Sequence, residues 1–200
     1  MHKNCFGHSV ELTWRTTMSP PNSIPVDPLV PLSLLEAVRE ADRLDGQDDA
    51  EYAQEFLNKR LGTTDTIFTQ IRRYSEAARR GQPIPGEEVV ALARLIGRRP
   101  DAIELFRSAG VATSRAAYGR LSAVKRGSVN LLPRVVAKPM ARRQAGKLLA
   151  RYFGASLHRS GNVLSMKMPP TAPLSVGAAE PGREYYDSAL HELLTLLTLT

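Results

Sequence analysis

From Ser33 to about residue 125 the apolar residues recur at helical spacings, interrupted at short intervals by capping and turn residues. That pattern confines this part of the chain to helices joined by short turns. Ser33-Leu34-Leu35-Glu36 has the form of a capping box, opening a helix with Leu35, Val38 and Ala41 on one face and a stop at Asp45-Gly46. Asp48 and Glu51 suggest a second helix with Phe56, Leu57 and Leu61 inward and Gly62 just past its end. Thr63 or Thr64 can cap a third, in which Ile67, Phe68, Ile71 and Tyr74 face inward before Arg79-Arg80-Gly81 closes it. Beyond a proline-rich loop, Glu87 and Glu88 suit the first turn of a helix reaching Ile96. Pro100 opens another that ends near Gly110, and Thr113 or Ser114 starts the next. Ahead of all these, Pro20, Pro21, Pro25, Pro28 and Pro31 interrupt any regular structure, so residues 1 to 31 are expected to form a flexible tail.

After Pro133 and Pro139 the pattern changes. Ala141, Ala145, Leu148, Leu149 and Tyr152 form an apolar stripe, with Arg142, Arg143, Lys147 and Arg151 largely on other faces and Gly154 at the end. Two short runs, 155 to 158 and 163 to 168, flank Arg159-Ser160-Gly161-Asn162, which predicts a β-hairpin. Its second strand alternates Leu164, Met166 and Met168 against Ser165 and Lys167. A final helix from Arg183 to about Leu197 carries Tyr186, Ala189, Leu190, Leu193, Leu194 and Leu197, too apolar a set to face water. The expected fold is α+β and mostly helical, with a helical module at 33 to 130 followed by helix, β-hairpin, helix at 131 to 200.

Charge divides the chain differently. Between Leu105 and Ala179 there are 13 lysines and arginines and no aspartate or glutamate, whereas the flanking segments are mildly acidic. A one-sign block of this kind favours either an anionic partner or an acidic surface elsewhere in the same molecule. With 42% hydrophobic and 24% charged residues the chain can bury a core, which excludes wholesale disorder. Cys5 is the single cysteine, so no intramolecular disulfide can form. There is no run of about 18 apolar residues for a membrane span and no apolar core of a secretory signal, so a cytoplasmic location is expected.

The basic block raises nucleic-acid binding, with Arg142, Arg143 and Lys147 on phosphates. Two segments resemble helix-turn-helix units. In one, Leu57 to Tyr74, Gly62 sits at the turn and Thr66, Thr69, Gln70 and Arg73 lie where bases would be read. In the other, Ala93, Gly97, Ile103 and Phe106 are suitably spaced, but Asp101 and Glu104 would face phosphates. His2, Cys5 and His8 could each ligate a metal, yet no fourth ligand accompanies them, so no metal site is assigned. Nucleophile, phosphate-binding glycine loop and cofactor fingerprint are all missing from the sequence, so no catalytic residue or cofactor is expected.

From Leu131 onward the order is a helix containing Ala145-Gly146-Lys147-Leu148-Leu149, a strand headed by Gly154, a turn at Gly161-Asn162, a second strand and a Tyr185-Tyr186 helix leading into Leu193-Leu194. This order resembles the 4-vinyl reductase domain, a small-molecule-binding domain found also in sensory regulators of aromatic catabolism. The resemblance covers about the last 70 residues and implies an apolar pocket, often within a homodimer. Here the pocket would draw on Leu149, Phe153, Leu164, Met166, Tyr186, Leu190 and Leu194. Members commonly continue with a further strand and a cysteine-bearing stretch; this sequence has neither, so cysteine-dependent chemistry is not carried over and a truncated or degenerate member is expected. The leading expectation is a non-enzymatic sensory or adaptor protein that binds a small hydrophobic ligand. The alternative is a nucleic-acid-binding transcriptional regulator.

Overall fold

The computed structural model describes residues 24–42, 64–122, 134–160 and 163–197. The fold is mostly helical α+β, with two small antiparallel sheets. Its elements are β1 (Pro25–Val26), α1 (Leu29–Ala41), α2 (Thr64–Arg80), β2 (Ile84–Pro85), α3 (Gly86–Ile96), α4 (Ala102–Gly119) and α5 (Arg134–Leu148). A π-helical turn, Leu149–Phe153, then leads to the hairpin β3 (Ser156–Ser160) and β4 (Val163–Lys167), followed by α6 (Pro173–Gly177) and α7 (Ala179–Leu196). No helix among the described residues is long and apolar enough to cross a membrane. The second expected helix, from Asp48 to Leu61, and the Gly161-Asn162 turn lie outside the described residues.

The first helix begins earlier than its sequence suggests. α1 opens at Leu29 with Pro28 at the N-cap, and the Leu29 backbone amide donates to Asp27 Oδ1 at 3.0 Å, an Asx-type turn that satisfies one of the free amides of the helix start. Pro31 falls in the first turn, where its missing N–H costs nothing, and is fully buried. Ser33 is therefore inside the helix, and its hydroxyl donates back to the Val30 carbonyl at 3.0 Å instead of capping. The segment expected as a loose tail thus includes an ordered stretch. Pro25 and Val26 pair antiparallel with Pro85 and Ile84, stitching the approach to α1 onto the loop before α3.

A second expectation is corrected at α4. The break anticipated between Gly110 and Thr113 does not occur, and one helix runs from Ala102 to Gly119. Thr113 Oγ1 donates to the Ala109 carbonyl at 2.9 Å and Ser114 Oγ to the Ala189 carbonyl at 2.8 Å, so neither hydroxyl caps a new helix. Gly110 is needed for closeness: a Cβ there would fall on the Tyr185 carbonyl oxygen and the Ser188 hydroxyl of α7.

α4 and α7 run side by side and parallel, since contacts advance together along both. Arg107 meets Glu184 at 2.8 Å, Ser114 meets Ala189, and Arg115 meets Glu192 at 2.7 Å. Parallel helix dipoles repel, and the basic side chains of one helix facing the carboxylates of the other offset that cost. Fully buried Leu34 of α1, Val89 of α3, Phe106 of α4, Leu149, Leu174 of α6 and Tyr185 and Leu193 of α7 belong to one continuous core. The division expected at residue 130 consequently does not separate two cores: burying α7 requires α4. The short helix α6 starts on Pro173, which suits a first helical position.

The basic helix is less regular than its stripe implies. Pro139 lies inside α5, and the last turn widens to a π-helical one before Gly154, at φ 64°, ends it in the left-handed region. Ala141, Ala145, Leu148, Leu149 and Tyr152 are buried, as the periodicity predicts, and Phe153 is buried beside them. The hairpin register, Leu157 opposite Met166 and Arg159 opposite Leu164, leaves Ser165 and Lys167 exposed.

Candidate ligand cavity and basic face

A recessed cavity of about 130 Å³ lies where four segments converge. Ile24 to Asp27 forms one wall, the π-helical turn from Ala150 to Gly154 a second, residues 169 to 174 a third, and Tyr186 of α7 closes the space. Val26, Val30, Phe153, Ala172 and Leu174 make most of the lining apolar, and Arg151 and Asp27 stand among the polar groups. Volume limits the occupant. A buried apolar cavity of about 150 Å³ accepts benzene, whereas drug-sized ligands occupy about 300 Å³ or more.

Tyr186 is the most informative lining residue. It is 5% exposed, and burial raises its hydroxyl pKa well above the ordinary tyrosine value, with the Leu174 backbone amide partly opposing the rise by donating to it. Among the described residues the hydroxyl proton itself has no acceptor. Its neighbour Tyr185 differs: fully buried and edge-on to Tyr186 with ring centroids 5.3 Å apart, it donates to Thr113 Oγ1 at 2.8 Å. Thr113 Oγ1 lies 2.6 Å from Ser33 Oγ, so three buried hydroxyls from α7, α4 and α1 form one chain, whose last link takes the proton of either Ser33 or Thr113 in place of that residue's bond to its own helix carbonyl. Desolvation raises the Tyr185 pKa, and the Thr113 hydrogen bond only partly opposes it. This chain fastens helices and shows no acid–base pair.

The seven residues expected to line one apolar pocket are dispersed. Phe153 and Tyr186 share the cavity. Leu149 is fully buried in the core, while Met166, Leu190 and Leu194 are half-buried against it. Leu164 instead lines a separate shallow groove between α5 and the hairpin, together with Pro139, Arg142, Arg143, Leu157, His158 and Arg159. The walls supplied by Ile24 to Asp27 and by 172 to 174 were not anticipated. Their proline content reads as unstructured, and only Asp27, an Asx-turn residue type, hinted at order.

Residues expected to contact nucleic acid occupy two places. Thr66 and Thr69 are exposed on α2, and Gln70 is half-buried. Arg73 is exposed but already paired: its guanidinium grips Glu88 of α3 through two 2.9 Å hydrogen bonds, and Tyr74 also donates to Glu88. Burial first, and the Glu88 carboxylate second, push the Tyr74 pKa well up. Phe68, expected inward, is 46% exposed because α2 turns Ile71 and Tyr74 to the core instead. The turn containing Gly62 lies outside the described residues. In the other helix-turn-helix-like segment Ile103 is 40% exposed, so the apolar spacing that suggested the motif is not met. Arg143 and Lys147 are exposed on α5, and Arg142 is half-buried; both Arg142 and Arg159 hold interactions within the chain.

Among the described residues no group of three or more His, Cys, Asp or Glu is placed to hold a metal, and His2, Cys5 and His8 lie outside them. No family model matches the chain, and no curated protein or solved structure shows significant similarity to it.

Proposed function

We propose that this chain is a non-enzymatic sensory or adaptor protein of the cytoplasm that binds a small hydrophobic molecule in the cavity at Phe153 and Tyr186. The carrying observation is the Tyr186 hydroxyl, buried at an apolar cavity with its proton unclaimed by any described residue. A buried donor left without an acceptor costs about 1–3 kcal/mol, so a ligand that accepts that proton recovers the cost on binding. The preferred ligand is therefore a single ring bearing a carbonyl, ether or phenolic oxygen. The resemblance of residues 131 to 200 to the 4-vinyl reductase domain supports a ligand-binding role, although the cavity proposed here also draws on residues ahead of α1. A ligand bridging β1, the π-helical turn and α7 would favour the state in which these segments are docked, which is a means of signalling occupancy.

Thermal-shift titration with phenol, anisole and benzaldehyde, alongside benzene, tests this reading. Ligands that bind only the folded state raise its melting temperature. Oxygen-bearing rings should stabilise the wild type more than benzene does, and Tyr186→Phe should erase that difference. Absence of stabilisation by every ring in the panel would overturn the proposal.

A further inference from the structure

We infer that the exposed face of α5 and its adjoining hairpin binds the phosphate backbone of nucleic acid without regard to sequence. Within the acid-free segment, the arginines of α4 are already engaged. Arg107 pairs with Glu184, Arg115 pairs with Glu192, and Arg120 donates to the Ala78 carbonyl at 3.0 Å. The cations that follow are arranged otherwise. Arg143, Lys147 and Arg151 recur every four residues and all three are exposed, with Lys167 exposed on β4 near Ala150. None of these four meets a carboxylate among the described residues, and Arg151 makes only a cation–π contact with Tyr152, 5.4 Å from its ring centroid.

Like charges four residues apart on a helix destabilise it, so nothing in the folding of α5 calls for this ladder. At 1.5 Å per residue Lys147 stands about 6 Å beyond Arg143 along α5, and Arg151 carries the row of positive charge on into the π-helical turn. A regular polyanion is the partner such a row fits. An anionic membrane also presents phosphates, but surface-bound basic helices insert apolar side chains as well. Here Ala141, Ala145, Leu148 and Leu149 are buried in the core, and none of the exposed large apolar residues described lies on α5 or the hairpin. Phosphate contacts position a protein without reading bases, so this face confers affinity and no sequence preference.

The test is fluorescence anisotropy of labelled mixed-sequence duplex DNA with the full chain at several salt concentrations. Neutralising four phosphates predicts a slope of log affinity against log salt of about −3.6. Arg143→Gln/Lys147→Gln/Arg151→Gln should lower affinity by about tenfold or more and reduce the slope by about 3. A control with the same charge change, Arg79→Gln/Arg94→Gln/Arg98→Gln, alters exposed arginines of α2, α3 and the turn beyond it, and should leave most of the affinity in place. Circular dichroism of both variants establishes that they fold. Equal losses in the two variants, no binding at low salt, or binding to phosphatidylserine vesicles in place of DNA would each overturn the inference. Because the ring titration reads the cavity and the anisotropy reads α5, failure of either proposal leaves the other standing.

Discussion

The Tyr185 hydroxyl donates to Thr113 Oγ1 at 2.8 Å, and through Thr113 it is linked to Ser33, so the last helix is hydrogen-bonded to α4 and onward to α1 inside the core. All three side chains are buried, and none can exchange its partner for water. Tyr185→Phe removes one donor and leaves Thr113 with other partners, so a loss of about 1 kcal/mol is expected. Thr113→Val removes the shared member, strands the Tyr185 hydroxyl and leaves Ser33 with the Val30 carbonyl alone, with an expected loss of about 2–3 kcal/mol. Urea denaturation of the two variants checks the order; a Thr113→Val protein as stable as Tyr185→Phe would show that the chain is not shared.

Gly110 sets the distance between α4 and α7. Gly110→Ala raises helix propensity, and in an exposed helix it would stabilise. At this position the added methyl meets the Tyr185 backbone, which cannot move without dragging the buried Tyr185 ring. A net destabilisation of about 1–3 kcal/mol is expected from overpacking, read as a lower urea midpoint. Gly119→Ala at the exposed end of the same helix, where nothing lies within 4 Å of the new Cβ, is the matched comparison and should stabilise by up to about 1 kcal/mol.

Much of this arrangement was legible in the amino acids, because the signals that worked are local. The stripe from Ala141 to Tyr152, the alternation of Leu164 and Met166 with Ser165 and Lys167, and the apolar positions of α7 each declare a buried face by spacing alone. The failures share a different cause. Ser33, Thr113 and Ser114 carry the residue types of helix starts, but Ser33 and Thr113 bond back to carbonyls of their own helices and also meet each other, and Ser114 bonds to Ala189 of α7; those long-range partners are what no local pattern reveals. The same holds for Gly110, whose turn-like identity serves a contact 75 positions away with Tyr185. Prolines at 25, 28 and 31 argued for a tail because the partner strand, Ile84–Pro85, is invisible to a local reading. The cavity was half legible for that reason: Phe153 and Tyr186 come from periodic helices, and the opposing wall comes from the proline-rich approach to α1.

Acid should weaken the turn that joins α3 to α4. Arg99 spans two carboxylates, contacting Asp42 at 2.7 Å and Asp101 at 2.9 Å, and its hydrogen bond holds the Asp101 carboxyl below the ordinary aspartate range. A carboxyl depressed in the folded state contributes stability above its unfolded pKa and loses it as pH falls through the folded value. The contribution is therefore present at neutral pH and declines below about pH 4. The groups are partly exposed, so its size is under about 1 kcal/mol. Stability measured from pH 7 downward should show a shallower acid loss in Asp101→Asn than in the wild type, with Asp101→Asn the less stable of the two at pH 7.

Phe153 packs on the cavity and on Tyr185, with ring centroids 6.1 Å apart, so shortening it joins its own volume to the space already there. Phe153→Ala should cost about 3–5 kcal/mol, the usual range for deleting a buried phenyl ring. Because the surrounding π-helical turn is fixed at one end by Gly154, collapse into the void is restricted and the upper part of that range is expected. The enlarged cavity should accept a bicyclic ring such as indole, which the wild-type volume excludes. Indole ought to raise the melting temperature of Phe153→Ala in proportion to its occupancy and leave the wild type unmoved. Equal stabilisation of both proteins by indole would mean that the ring binds elsewhere, and that Phe153 is packing for the core without bounding a site.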